Sequence, residues 1–93
     1  MIEDFSCKET DKIWNCVRSK KLPGEIQERA FLRLRQLHAA DLLADLRIPP
    51  SNRLESLSCV LKGFWSVRIN QQWRLVFRWN DGKASDVRIT DYH

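Results

Sequence analysis

This sequence contains few of the residues on which specialised small proteins depend. Among its 93 residues are three cysteines, three glycines, three prolines and two histidines. An odd number of cysteines without a Cys-x-x-Cys pair argues against a disulfide framework and against a zinc site. No stretch approaches the ~20 apolar residues of a membrane span, and the first residues lack a secretory signal pattern. We therefore expect a cytoplasmic protein with free thiols, no membrane partner, and neither a metal nor another cofactor.

Several catalytic patterns are also missing. The chain has no glycine-rich phosphate loop, no nucleophile elbow and no close cluster of histidines and carboxylates. Its length predicts a single domain over residues 1–93. The net charge is +4, of which residues 1–52 carry +1 and residues 53–93 carry +3. The positive excess therefore lies in the second half of the chain.

The last third of the chain reads as three β-strands, at residues 63–69, 73–79 and 87–93. Side chains alternate between the two faces of a strand, so the alternating apolar residues define one buried face. That face is predicted to hold Trp65, Val67, Ile69, Trp73, Leu75, Phe77, Trp79, Val87 and Ile89. The three tryptophans are accordingly interpreted as core residues and not as platforms for stacking bases.

The opposite face of these strands is rich in arginine. Its outward positions include Arg68, Arg74, Arg78 and Arg88, and Asp86 at the edge is the acid expected there. Like charges on neighbouring strands repel, so an ordinary solvated face mixes signs. Basic side chains gathered on one face are typical of nucleic-acid binding. The alternative is an ordinary polar face that has no ligand.

The first half of the chain predicts two helices and a short edge strand. Residues 2–5 alternate like a strand, and Ser6 with Glu9 matches a capping box that would start a helix reaching Ser19 and burying Val17. Pro23 and Gly24 separate it from a second helix over residues 25–40. In that helix Ile26, Ala30, Leu34 and Leu37 form the core stripe, whereas Gln27, Arg29, Arg33 and Gln36 face away.

The remaining segments connect these elements. Residues 41–46 predict one more helical turn, residues 48–52 an extended linker, and residues 53–57 a further strand. Residues 70–72 and 80–82 predict tight turns, the second of which contains Asp81-Gly82. The expected fold class is α+β, with two N-terminal helices on one face of a mainly antiparallel, twisted sheet of four or five strands. The other face of the sheet is open and basic.

An open basic face next to the terminal Asp91-Tyr92-His93 suggests chemistry on RNA. Cleavage by the 2′-hydroxyl needs a base, an acid and cations that stabilise charge on the phosphate. His93 exchanges protons near neutral pH, and Arg68 and Arg74 carry forked donors suited to phosphate. A terminal histidine is also commonly a solvated chain end. His38 lies within the helical region and is interpreted as structural.

The quoted motifs resemble HigB toxins of the RelE superfamily, in the branch that includes GraT. The resemblance covers nearly the whole chain. It is carried by Asn52-Arg53-Leu54-Glu55, Asn70-Gln71-Gln72-Trp73-Arg74 and the terminal Asp91-Tyr92-His93. It implies a RelE-like microbial ribonuclease fold and a toxin of a bacterial type II toxin–antitoxin module.

In such toxins the implied activity is ribosome-dependent cleavage of mRNA in the decoding site of the 70S ribosome, without a metal. The implied partner is a HigA-type helix-turn-helix antitoxin that neutralises the toxin, and operator DNA is contacted only through that antitoxin. The resemblance implies a catalytic set and an RNA-binding set. The catalytic set is Arg74, Asp91, Tyr92 and His93. The RNA- or phosphate-binding set is Arg53, Lys62 and Arg68, together with Arg78 and Arg88 of the arginine-rich face.

The chain departs from the HigB pattern in the strand and loop before Lys62, and at Gln71 or Gln72, where an Asp or Asn is common. Glu55 and Ser58 stand where better-known HigB proteins carry a histidine and a lysine, and Cys59-Val60-Leu61 replaces a polar triplet. Lys62 is the available substitute for the missing cation. An attenuated or non-catalytic toxin homologue, which binds ribosomes or RNA and regulates its operon through the antitoxin, is therefore the alternative to an active nuclease.

Overall fold

The fold is organised around a four-stranded antiparallel sheet in the second half of the chain. A computed structural model describes residues 1–91 and orders the strands β1-β2-β3-β4, in chain order. Near the N-terminus, Ile2 and Phe5 form isolated parallel bridges to Ala84 and Val87 of the last strand. The predicted edge strand is thus reduced to two bridges. The strands are β1 (Glu55–Ser56), β2 (Phe64–Arg68), β3 (Trp73–Asn80) and β4 (Lys83–Asp91).

The turn between β3 and β4 forms as the Asp-Gly pair predicts. Asn80 pairs with Lys83, which leaves a two-residue turn. Asp81 and Gly82 have φ values of 50° and 78°, and this left-handed backbone matches the twist of a tight hairpin. At the other end of β3, Asn70 Oδ1 accepts hydrogen bonds from the amides of Gln72 and Trp73, both at 2.8 Å. Both predicted tight turns are confirmed.

One face of the sheet packs against the helices and forms the core. Helix α2 (Gly24–Ala39) buries the four predicted stripe residues, and α1 (Lys8–Trp14) contacts both α2 and β4. The predicted core face of the sheet is confirmed, with the three tryptophans partly buried against it. His38 contributes to the same layer, because its ring packs on Trp14 and its Nδ1 accepts a hydrogen bond from the amide of Ile2. The fold class is α+β, as predicted.

Helix α1 is shorter than its sequence predicts. Asn15 Nδ2 donates to the backbone oxygen and the carboxylate of Asp11, and the chain then turns through a left-handed φ of 62° at Cys16. An asparagine that bonds locally competes with continuation of a helix. The helix therefore ends at Trp14 and not at Ser19. Val17, predicted to be buried, is 52% exposed.

The predicted capping box at the start of α1 is also wrong. The hydroxyl of Ser6 donates to the backbone oxygen of Asp86 at 3.2 Å, and the N-cap position belongs to Cys7. Glu9 instead accepts a 2.6 Å hydrogen bond from the Ser19 hydroxyl and pairs with Lys12. Partners that are distant in sequence have replaced the local ones. All three cysteines are free thiols, as expected.

Ser19 holds together the loop that joins the two helices. Ser19 is 2% exposed, and its hydroxyl accepts hydrogen bonds from the backbone amides of Lys21 and Leu22. Its own backbone amide donates to the Gln27 side chain, which donates in return to the Ser19 backbone oxygen. The hydrogen bond from Ser19 is the main reason that the pKa of Glu9 lies below its ordinary value of 4.5. Because the folded-state pKa of Glu9 is lowered, its contribution to stability is present above that ordinary value. It is lost as the pH falls through the lower, folded-state pKa.

We expect Ser19→Ala to lower the free energy of unfolding by about 1–2 kcal/mol at pH 7, because two partly buried amide hydrogen bonds lose their acceptor. The deficit relative to wild type should shrink in acid, because protonation of Glu9 removes from wild type a contribution that the variant already lacks. Urea denaturation at pH 7 and below pH 4 measures both effects. Ser58→Ala, at an exposed serine, is the matched control. Equal stability of the two variants at pH 7 would contradict the role given to Ser19.

The segment between α2 and β1 differs from the predicted linker and strand. It forms two short 3-10 helices, Leu43–Arg47 and Pro50–Asn52, and the Asn52 amide bonds the backbone oxygen of Leu46 and the side chain of Gln36. Arg53 follows in a left-handed conformation with φ of 45°. That turn prevents extended pairing before residue 55, so the predicted strand over residues 53–57 is reduced to β1. Within residues 1–91, no helix is both long and apolar enough to cross a membrane.

Candidate functional site

Three rows of paired residues cross the face of the sheet that lies away from the helices. The pairing of β2, β3 and β4 fixes which side chains are neighbours on this face, and Glu55 of β1 adjoins Ser66. The rows are Arg68-Arg74-Thr90, Ser66-Val76-Arg88 and Phe64-Arg78-Ser85. The four predicted arginines therefore do share one face. Much of that face is nevertheless covered, since Phe64, Ser66, Arg74 and Val76 are all buried.

Arg74 lies buried at the centre of the site, with 6% of its surface exposed. Its Nε donates to the Ser66 hydroxyl at 2.8 Å, and one terminal nitrogen donates to the backbone oxygen of Arg53 at 2.6 Å. The other terminal nitrogen lies 3.6 Å from the carboxylate of Glu55. These contacts hold the guanidinium in one orientation. They also show that the arginine face contains an acid, Glu55, that the sequence pattern did not assign to it.

A cavity of about 410 Å³ opens beside Arg74 at this end of the sheet. We call it the tail-end cavity, because β4 ends at the same end of the sheet. Arg68 is half-buried, and its Nε donates to the backbone oxygen of Asn70 at 3.1 Å. The β2–β3 turn supplies uncharged amide side chains to the same wall. The tail-end cavity is lined by Arg53, Arg68, Asn70, Gln71 and Arg74.

Asp91 is the last residue that the structure describes. It pairs with Trp73, so it belongs to the face of the sheet that packs on the helices. Thr90 pairs with Arg74 and belongs to the arginine-rich face. Its carboxylate accepts a 3.0 Å hydrogen bond from the Gln72 side chain. This alternation at the end of β4 is the predicted one. Tyr92 and His93, the other two predicted members of the catalytic set, lie outside the described residues.

The remaining predicted RNA-binding residues lie away from the tail-end cavity. Arg78 is four residues further along β3, or about 13 Å at strand spacing. Its guanidinium lies 4.5 Å from the centre of the Phe64 ring and forms an ion pair with Asp86 at 3.3 Å. Arg88 contacts the same ring, at 5.3 Å, and Lys62 is exposed just before β2 begins. The four arginines of this face therefore form two groups. Arg68 and Arg74 line the tail-end cavity, and Arg78 and Arg88 lie at Phe64.

The division has a physical cause in β4. The left-handed Asp86, with φ of 50°, shifts the register where Arg78 passes Ser85. A bulge of this kind re-aims the side chains around it, and here it brings the Asp86 carboxylate onto Arg78. Alternation alone predicted both arginines on the correct face. It could not predict that Arg78 pairs with Asp86.

Helix α2 contributes two arginines that the sequence pattern had assigned to solvent. Arg33 Nε donates to the backbone oxygen of Arg68 at 2.9 Å, and Arg29 donates to that of Ile69 at 3.3 Å. Burial, followed by the positive charge of Arg29, lowers the pKa of the Arg33 guanidinium. The spacing of four residues, which places both arginines on one side of the helix, was the available signal. Among residues 1–91, no three histidine, cysteine, aspartate or glutamate side chains are grouped as a metal site.

Comparisons with known proteins agree on one family. Residues 3–93 match the family described as the RelE-like toxin of the type II toxin–antitoxin system HigB. Toxin HigB-1 of Vibrio cholerae serotype O1 is 48% identical over 72 residues, which cover 77% of this chain and 76% of that toxin. Endoribonuclease HigB of Proteus vulgaris is 25% identical over 93 residues, the full length of both proteins.

Solved structures support the same fold. The E. coli protein YafQ superposes with a TM-score of 0.61 at 14% identity, over 98% of this chain and 91% of YafQ. A chain of the YoeB–YefM complex from Staphylococcus aureus gives a TM-score of 0.58 at 17% identity, over 100% of this chain and 98% of that one. The chain therefore belongs to the HigB family of RelE-like toxins of type II toxin–antitoxin systems.

Proposed function

We propose that this toxin is a ribosome-dependent endoribonuclease that cleaves mRNA in the decoding site and thereby stops translation. The supporting observation is the tail-end cavity, where Arg53, Arg68 and Arg74 converge next to the end of β4. Three guanidinium groups around one cavity suit a phosphate that gains negative charge in the transition state. The endoribonuclease name of the Proteus vulgaris relative is consistent with this activity.

The proposed reaction uses the RNA's own 2′-hydroxyl as nucleophile. A base removes its proton, the 2′-oxygen bonds to the adjacent phosphorus, and the bond from phosphorus to the 5′-oxygen breaks. An acid protonates that leaving oxygen, which yields a 2′,3′-cyclic phosphate and a 5′-hydroxyl. Asp91, Tyr92 and His93 are the proposed sources of proton transfer and orientation. Arg74 is the proposed ligand of the reacting phosphate.

The other basic residues are proposed to bind the rest of the RNA. Arg53 and Arg68 line the tail-end cavity, and they are proposed to hold the reacting phosphate or its neighbour. Arg78, Arg88 and Lys62 lie towards the opposite end of the face and are proposed to contact phosphates further along the RNA or the ribosome. Because Arg78 already pairs with Asp86 across a largely exposed contact, we expect its contribution to be the smallest of the arginines.

Arg53→Gln tests the proposed function with little structural disturbance, because Arg74 bonds the backbone oxygen of Arg53 and not its side chain. Purified toxin is added to programmed 70S ribosomes, and cuts in the mRNA are mapped by primer extension. We expect wild type to cut within the decoding-site codon. Arg53→Gln should cut at least about 10-fold more slowly, the usual effect of removing a hydrogen bond from a charged donor. Arg35→Gln, at an exposed arginine of α2, is the matched control.

Absence of cuts by wild type on ribosomes would contradict the proposed nuclease. Equal slowing by Arg53→Gln and Arg35→Gln would instead show that total charge, and not the cavity, governs the rate. Cuts of equal efficiency in the same mRNA without ribosomes would remove the ribosome from the proposal.

The proposed partners follow from family membership. A HigA-type helix-turn-helix antitoxin is proposed to bind and inactivate the toxin in the cytoplasm, and operator DNA is proposed to be reached only through it. The YoeB–YefM structure, whose fold this chain shares, is itself a complex. Copurification of the toxin with the product of a neighbouring antitoxin gene tests this partnership.

A second candidate function is an attenuated toxin that binds ribosomes without cutting mRNA. Two observations favour it: Glu55 approaches Arg74, and the 3-10 helix Cys59–Leu61 presents Val60 with 96% of its surface exposed. This candidate predicts ribosome binding that weakens steeply with salt, without mRNA cuts. Cleaved mRNA on purified ribosomes would exclude it.

A further inference from the structure

A second basic cavity lies on the other side of the β2–β3 turn from the tail-end cavity. It has a volume of about 370 Å³ and is formed where helix α2 meets the end of β2. We call it the helix-side cavity. Arg68, Asn70 and Gln71 line both cavities, so the two are neighbours across one turn. The helix-side cavity is lined by Arg29, Arg33, Ser51, Arg68, Asn70 and Gln71.

Within residues 1–91, the arginines of the helix-side cavity have no acidic partner in an ion pair. No carboxylate lies within ion-pair distance of Arg29, Arg33 or Arg68 in the described part of the chain, although Arg74 and Arg78 both have one. The hydrogen bonds to the backbone oxygens of Arg68 and Ile69 hold the two helix arginines at the cavity in spite of their mutual repulsion. Three fixed guanidinium groups without an acid form a site that an anion would stabilise.

We propose that the helix-side cavity binds a phosphate of the RNA strand that continues out of the tail-end cavity. The inference rests on the proposed function, and adds to it a second phosphate-binding site and a path for the substrate around the β2–β3 turn. Phosphate is favoured over the carboxylates of an acidic protein because Arg68 serves both cavities, and a continuous strand offers one phosphate to each. The amides of Asn70 and Gln71 stand between the two sites, where an intervening base or ribose would pass.

The test uses RNA that the toxin cannot cleave. A single-stranded 12-mer with 2′-O-methyl groups at every position lacks the nucleophile, so binding is measured whether or not the protein is a nuclease. A 2-mer of the same chemistry has a single phosphate, so it cannot fill both cavities, and it serves as the second probe. The variants are Arg29→Gln/Arg33→Gln, the charge-preserving Arg29→Lys/Arg33→Lys, and Arg35→Gln as the control on the same helix.

For the 12-mer, we expect the double glutamine variant to bind about 10-fold more weakly than wild type in low salt. The slope of log affinity against log salt should fall by about 0.7 for each phosphate that the variant no longer neutralises, because fewer counterions are released. The double lysine variant should keep most of that slope, since it keeps both charges. For the 2-mer, all variants should bind like wild type.

Several results would overturn the inference. Among them are failure of wild type to bind the 12-mer, equal losses in the double glutamine variant and Arg35→Gln, and equal losses for the 2-mer and the 12-mer. A loss confined to binding of ribosomes without mRNA would assign the cavity to ribosomal RNA instead, and a loss confined to antitoxin binding would assign it to an acidic protein surface. If the 12-mer results are as expected but wild type cuts no mRNA on ribosomes, the cavity assignment stands and the proposed nuclease fails.

Discussion

Replacing Arg74 with alanine is expected to reduce mRNA cleavage on ribosomes by about 10²-fold or more, the usual effect of removing one transition-state donor. The same change should destabilise the fold by about 1.5–3 kcal/mol, because the Ser66 hydroxyl and the Arg53 backbone oxygen lose a charged donor. The pair with Glu55 adds little, since the Glu55 side chain is 48% exposed. Primer extension and urea denaturation measure the two effects separately.

The two effects of Arg74→Ala must be separated by a variant that affects only one. Ser66→Ala removes the partner of Arg74 Nε but keeps the guanidinium, so it should destabilise the protein while reducing cleavage much less than Arg74→Ala. Arg74→Lys keeps the charge but not the forked guanidinium that reaches Ser66 and Arg53 together. Its cleavage rate should fall between those of Ser66→Ala and Arg74→Ala. If Ser66→Ala and Arg74→Ala reduce cleavage equally, Arg74 is a positioning residue and not a ligand of the reacting phosphate.

Removal of Tyr92 and His93 is expected to abolish measurable cleavage, with a loss of about 10²-fold or more. General acid–base catalysis by a positioned side chain contributes about this much, and histidine is the residue type that most often supplies it. The described pairing of β4 with β3 runs as far as Asp91, so the deletion removes none of the described pairs. Single-turnover cleavage on programmed ribosomes, compared with wild type, measures the loss.

The control for this deletion is a histidine elsewhere in the chain. His38→Gln alters the packing on Trp14 and should change stability, but we expect its cleavage rate to remain near that of wild type. His93→Gln should reproduce most of the loss caused by the deletion. A deletion protein that still cuts at the wild-type rate would exclude Tyr92 and His93 from the reaction and leave Arg74 and Asp91 of the proposed catalytic set.

The parts of the fold that the sequence predicted correctly depend on short-range rules. Alternation assigned the core residues of β2, β3 and β4, and helical spacing assigned the buried stripe of α2. The Asp81-Gly82 turn was predictable because few residue pairs adopt two successive left-handed conformations easily. Each of these patterns either repeats along the element or allows few backbone conformations. The tertiary contacts of the folded protein agree with all three.

The incorrect predictions concern residues with more than one possible partner. Ser6 and Glu9 have the spacing of a capping box. Ser6 nevertheless bonds Asp86, and Glu9 bonds Ser19, both of which the folded chain brings close. Likewise, Arg29 and Arg33 are polar positions on a helix, which a pattern assigns to solvent. Their reach across to the end of β2 depends on where the helix packs on the sheet. A pattern in one segment does not contain that information.

For the candidate site, the sequence by itself determined the residue types and the face. Alternation placed four arginines on one side of the sheet: Arg68, Arg74, Arg78 and Arg88. Resemblance to HigB toxins assigned the terminal residues to the catalytic set. Only the tertiary structure decided which arginines converge. Convergence depends on strand register, on the bulge at Asp86 and on where α2 packs against the sheet. Those are set by packing between segments far apart in the chain, which side-chain alternation within one strand does not specify.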